Sequence, residues 1–133
     1  MDRNLLPFVV VGAGAALGGI ARYTVSLASA RLLGVRFPYG TLLVNLTGSF
    51  LLGVLASIVT ERLVPQPDFV GLALGVGFLG GYTTFSTFTL ESQRLLRDGE
   101  WLLASLNVAG SVFLGLVAVR LGMWTAGQIG GGR

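Results

Sequence analysis

Phe85 and Phe88 stand among hydroxyl side chains in the stretch Gly77-Phe78-Leu79-Gly80-Gly81-Tyr82-Thr83-Thr84-Phe85-Ser86-Thr87-Phe88. A phenyl ring has a positive edge, so two ring edges with the Ser86 and Thr87 hydroxyls can coordinate a small dehydrated anion without a fixed cation that would trap it. The i, i+3 spacing puts both rings on one helix face, an arrangement that more commonly fills a core. The adjoining hydroxyls are what favour a ligand. The stretch lies within an uncharged run from Phe69 to Leu90, which at about 1.5 Å per residue covers a roughly 30 Å hydrocarbon layer. Gly77, Gly80 and Gly81 followed by two β-branched threonines are poor helix formers, so a helix break is expected here, with carbonyls and amides freed from helical partners. At membrane depth such backbone persists only where protein buries it or where it lines a polar path.

Other polar residues lie within apolar runs. Asn45, in Gly40-Thr41-Leu42-Leu43-Val44-Asn45-Leu46-Thr47-Gly48, needs a partner, because an unpaired buried amide costs about 2 kcal/mol or more. It serves either as an interhelical hydrogen bond or as a donor to a permeating anion. Arg22, four residues after Gly18, either snorkels to the interface or stands at the mouth of an anion path. Glu91 follows Phe88 by one turn and has Arg94 as a candidate ion-pair partner. Ser105, Asn107 and Ser111 are the polar groups of the last apolar run.

Four apolar runs position these groups, at residues 5–28, 39–60, 69–93 and 101–122. Of the 133 residues, 53% are hydrophobic and 11% charged, with a mean hydropathy of +0.78. Soluble domains are about 25% charged, so this is an all-α membrane protein with a single four-helix domain. Histidine and cysteine are both absent, which removes the usual general base, the thiolate nucleophile and the commonest metal ligands. Enzymatic catalysis is not expected. The basic residues are nine arginines, placed mostly at the ends of the runs rather than in a patch. That placement argues against nucleic-acid binding and for headgroup contacts. Residues 29–38 read as a polar loop, Pro65 to Asp68 and Asp98-Gly99 as turns, Trp101 and Trp124 as interface anchors, and Gly127 to Arg133 as a loose tail.

With four spans, Arg3, Arg62, Arg133 and Arg120 fall toward one side, and Arg31, Arg36, Arg94 and Arg97 toward the other. The positive-inside rule therefore has almost no asymmetry to act on, so insertion in both orientations is expected. The glycine pairs Gly14/Gly18, Gly71/Gly75 and Gly77/Gly81 provide smooth faces for helix association, and a mixed-orientation population permits an antiparallel homodimer.

These residues resemble the Fluc/CrcB family of fluoride channels. The resemblance covers nearly the whole chain and is carried by Gly18-x-x-x-Arg22, by Gly40-Thr41-Leu42-x-Val44-Asn45-x-x-Gly48 and, most specifically, by the stretch from Gly77 to Phe88. It implies an antiparallel, dual-topology homodimer with two pores lined by both subunits. It implies that Phe85 and Phe88 line the fluoride pore, with Asn45 and Ser86 as donors. Thr87, Asn107 and Ser111 then extend a polar track, Glu91 lies toward one end of it, and Arg22 draws anions into the vestibule. It also implies a structural Na+ at the dimer interface, held by the Gly80 and Thr83 backbone carbonyls. Tyr82 departs from the pattern, standing where a smaller or apolar residue is frequent. The implied function is passive export of fluoride across a bacterial or archaeal inner membrane. A small dual-topology multidrug exporter would need an intramembrane carboxylate in its first helix, which this chain lacks. A non-transporting assembly subunit would use the glycine faces alone.

Overall fold

The computed structural model describes residues 5–61 and 63–130. Arg3, Arg62 and Arg133, which carry part of the arginine count, lie outside them. All regular elements among the described residues are helical. They are α1 (Leu6–Leu33), α2 (Tyr39–Thr60), α3 (Pro67–Val70), a π-helical segment (Gly71–Leu79), α4 (Gly80–Tyr82), α5 (Phe85–Arg97) and α6 (Trp101–Gly130). Four spans are long and apolar enough to cross a membrane: α1, α2, the composite Pro67–Arg97, and α6.

Local chemistry accounts for the ends of these elements. Pro7 sits in the first turn of α1, where its missing amide costs nothing, and Gly34 at φ 83° stops the helix. The expected polar loop therefore shrinks to residues 34–38. Ser29 is buried inside the helix and Arg31 lies in its last turn. Asp98 caps α5 and Gly99 at φ 79° makes the expected turn. Helix α6 runs on to Gly130 instead of loosening at Gly127, because the apolar and small residues before Gly130 contain no breaker stronger than single glycines. Trp101 and Trp124 are exposed on α6, about 35 Å apart along its axis, close to the separation of the two interfaces.

Packing runs mainly through backbone contact. Helix α2 packs most extensively on α6, and α1 on the π segment and α4. A Cβ on Gly18 would strike the Phe78 carbonyl, and one on Gly81 the Ala15 carbonyl. On Gly14 it would come within 2.7 Å of the Ala73 carbonyl. The glycines of α1 and of the third span thus face each other and let the two backbones touch. Gly53 and Gly122 do the same between α2 and α6, each facing a backbone carbonyl of the other helix. The buried apolar cluster is small, made of Val44, Leu55, Leu79 and Tyr82. Leu17, Ile20, Phe113 and Leu116 are between 61% and 67% exposed, an outer surface suited to lipid or to other apolar helices rather than water. Arg36 and Glu100 pair at 3.1 Å, tying the α1–α2 loop to the approach to α6 at one end of the bundle.

Candidate functional site

The third span changes character twice. Over Gly71–Leu79 it widens to i→i+5 hydrogen bonding, with the Gly80 amide donating to Gly75 O, a form that is rare outside functional segments. It then breaks at Thr83 (ψ 159°) and Thr84 (φ −152°, ψ 114°), both extended. The expected break is present, but it falls on the threonine pair. The glycines before it remain helical, and two of them, Gly77 and Gly81, admit the backbone of α1.

The broken backbone is held by side chains. Leu79 O accepts from both Thr83 N and Thr83 Oγ1, each at 3.0 Å. Asn45, from α2, accepts from Thr84 N at 2.8 Å and donates through Nδ2 to Thr84 O at 3.1 Å. One amide thereby satisfies both polar groups of an extended residue, as a neighbouring strand would. Because the Thr84 amide turns to Asn45, Gly80 O loses the partner that an unbroken helix would supply. Arg22 Nη1 donates to Thr83 O at 3.5 Å. Arg22 stands eleven residues before the end of α1 and reaches inward to the break, in place of snorkelling outward. Thr47 Oγ1 and Tyr82 OH lie 2.9 Å apart. Thr47 donates to Leu43 O at 2.7 Å, so the tyrosine hydroxyl is the donor of that pair and anchors α4 to α2.

Helix α5 starts from Thr84, whose Oγ1 accepts from Thr87 N at 3.2 Å and lies 2.9 Å from Thr87 Oγ1 and 3.5 Å from Ser86 Oγ. A threonine at this position satisfies one of the orphan amides of the first turn. The rings of Phe85 and Phe88 are 5.7 Å apart and tilted by 45°. Phe88 is 8% exposed and Phe85 76%. Two clefts flank this turn. One of about 310 Å³ brings together Asn45, Ser49, Gly80, Thr83, Thr84 and Phe85. The other, about 390 Å³ and at the loop end, is walled by Arg36, Thr41, Thr87, Glu91, Arg94 and Asp98. The Thr84–Thr87 hydroxyl contact lies between them.

The remaining residues singled out from the sequence lie apart. Asn107 is buried behind α5 with Nδ2 donating to Ser92 Oγ at 2.9 Å. Asn107 Oδ1, Ser111 Oγ and Glu91 Oε2 are buried without a hydrogen-bond partner among the described residues. The expected Glu91–Arg94 ion pair does not form, and the ion pair among the described residues is Arg36–Glu100. The i, i+3 spacing brings Glu91 and Arg94 onto neighbouring parts of the surface, where both line the larger cleft. Thr84, Thr47 and Ser92 were not distinguished by the sequence. A threonine just before a helical stretch is an N-cap signal that could have marked the first, whereas the other two show only through their partners on distant helices.

The family model described as "CrcB-like protein, Camphor Resistance (CrcB)" matches residues 9–123. A "Fluoride-specific ion channel FluC" of Magnetococcus marinus is 48% identical over 113 residues, covering 85% of this chain and 91% of its own. The protein of that name in Solibacter usitatus is 44% identical over 117 residues (88% and 95%), and that in Coxiella burnetii 44% over 121 residues (91% and 96%). Matched over most of its length by both the family model and these relatives, the chain belongs to the CrcB family.

Proposed function

We infer that this chain is a fluoride-specific ion channel and not an enzyme, conducting the ion passively across the membrane. The observation that carries the reading is the braced break. Asn45 holds Thr84 extended, and the turn that follows presents two phenyl rings beside the hydroxyls of Ser86 and Thr87. Fluoride binds its water shell tightly, so a selective path must replace that shell with compact donors. Ring edges, hydroxyls and an amide do so without a permanent charge. In an acid medium fluoride crosses lipid as neutral HF and dissociates inside. A negative interior then drives the anion out through a pore, with about 2.3 kcal/mol per 100 mV. No energy source is required.

In this reading Phe85, Phe88, Asn45 and Ser86 line the path. Thr87, Asn107 and Ser111 continue it as a polar track, Glu91 lies toward one end, and Arg22 gathers anions in the vestibule. Because Phe85 is 76% exposed in one protomer, the path needs a second copy to close it. The near-balance of arginines favours an antiparallel partner in an inner membrane. A structural Na+ suits the break. Gly80 and Thr83 border the same cleft, the Thr84 amide that would bond Gly80 O in an unbroken helix goes to Asn45 instead, Arg22 reaches Thr83 O only at 3.5 Å, and hard carbonyl oxygens match a hard cation. In an antiparallel dimer the two carbonyls from each copy would hold the ion, which would supply positive charge at the break of both third spans.

The test is fluoride efflux from liposomes containing the purified protein, followed with a fluoride electrode. Rapid efflux with little chloride flux is expected. No efflux, or equal chloride flux, overturns the assignment.

A further inference from the structure

The break at Thr83–Thr84 uncouples α5 from the helix before it. The rotation of α5 about its axis, and hence the direction of the Phe88 ring, must therefore be set by contacts that α5 makes itself. Its packing on α6 and on α2 is slight compared with the α1 and α2 interfaces. At its start it is held by Asn45 through Thr84. A second hold lies one turn beyond Phe88. Ser92 is 6% exposed, and its Oγ donates to the Phe88 carbonyl at 2.8 Å. A serine hydroxyl has one proton, so Ser92 Oγ meets its other neighbour only as an acceptor, and Asn107 Nδ2 donates to it at 2.9 Å. This fixes the orientation of the Asn107 amide. It is also the side-chain hydrogen bond between α5 and α6 among the described residues. Asn107 is 1% exposed and its Oδ1 is unpaired, so a leucine of similar shape would avoid an orphaned acceptor at this position. Stability alone does not account for an asparagine here.

We propose that Ser92 and Asn107 are positioning residues: the relay from Asn107 through Ser92 to the Phe88 carbonyl pins α5 on α6 at the rotation that holds the Phe88 ring beside Phe85, and so sets anion discrimination. The proposal rests on the channel reading above. Among the proposed pore groups Ser92 contacts only the Phe88 backbone and the Asn107 amide, so it acts through other residues.

The experiment measures fluoride and chloride efflux from liposomes for the full-length chain and for Ser92→Ala, Asn107→Leu, the double variant and Ser92→Thr. Ser92→Ala and Asn107→Leu should each lower the fluoride-to-chloride flux ratio about three- to tenfold, the scale of one buried hydrogen bond. The double variant should be no worse than the worse single, because both act through one relay. Ser92→Thr should restore the ratio. An unchanged ratio in Ser92→Ala overturns the proposal. So do additive losses, which would show that Asn107 acts on the ion along the polar track and not through Ser92. Should Ser92→Ala elute as aggregate, the double variant, which removes the polar pair together, takes its place, and a normal ratio there overturns the proposal. Absence of fluoride efflux from the unaltered protein sinks the channel reading itself. Normal efflux with unaltered ratios in the variants counts against the relay alone.

Discussion

Asn45 grips Thr84 by both backbone groups, at 2.8 and 3.1 Å, across 39 positions of sequence. Without that grip an extended residue inside the bundle would carry an unpaired amide and carbonyl. Asn45→Leu should therefore lower stability by about 2–4 kcal/mol, combining two lost hydrogen bonds with the cost of leaving Thr84 unsatisfied. Thermal unfolding in detergent, followed by circular dichroism, measures the loss. A melting temperature equal to that of the unaltered protein would remove Asn45 as the brace.

The two rings should separate by experiment. Phe88 is buried in its own protomer and Phe85 is not. Phe88→Ile should cost about 1–2 kcal/mol of protomer stability, whereas Phe85→Ile should stay within about 0.5 kcal/mol. Both should cut fluoride efflux at least about tenfold, the effect of about 1.4 kcal/mol on the barrier. Equal and undiminished flux in both variants would take the rings out of the path.

Glycine substitutions test the backbone contact between α1 and the third span. Gly18→Ala places a methyl group against the Phe78 carbonyl and should destabilise by about 1–3 kcal/mol or more, since neither backbone can withdraw. Gly12→Ala has open space around its Cβ and should be neutral or stabilising by up to about 1 kcal/mol through helix propensity. The reverse order in thermal melts would contradict the packing described here.

Orientation is open to direct measurement. Reporters active on one side of the membrane, fused to the C terminus, should both give signal, as a population inserted in the two directions requires. Exclusive signal from one reporter would defeat dual topology.

The Na+ proposed at the break can be tested by exchange. Replacing Na+ with a bulky organic cation throughout purification should reduce fluoride efflux or dissociate the proposed dimer, since paired carbonyls would face each other without a charge between them. Full activity and an intact dimer in its absence would argue that Gly80 and Thr83 hold no ion.

Much of this architecture is legible in the residue order because a bilayer imposes a one-dimensional rule: a span must be about twenty apolar residues long, and its polar exceptions must have a reason. Composition and run length are enough for the four helices, and the glycine-threonine sequence for a break in the third, which the structure places at Thr83 and Thr84 rather than at the glycines. Boundaries were less legible. Residues 29–33 read as loop but continue α1, and Gly127 to Gly130 read as tail but continue α6, because a helix can outrun the hydrocarbon layer that defines the span.

What the residue order could not decide was partnership. Asn45 was open between brace and donor until Thr84 lay opposite it; Arg22 turned inward to Thr83 O; Glu91 did not take the nearby Arg94; and Ser92 had no visible role until Asn107 approached from α6. Hydrogen bonds depend on distance and direction between atoms far apart in the chain, and helix rotation and close glycine packing determine both. Propensity and hydropathy act along the chain and specify which segments are helices. Which polar side chain meets which backbone group is decided only once those helices are docked.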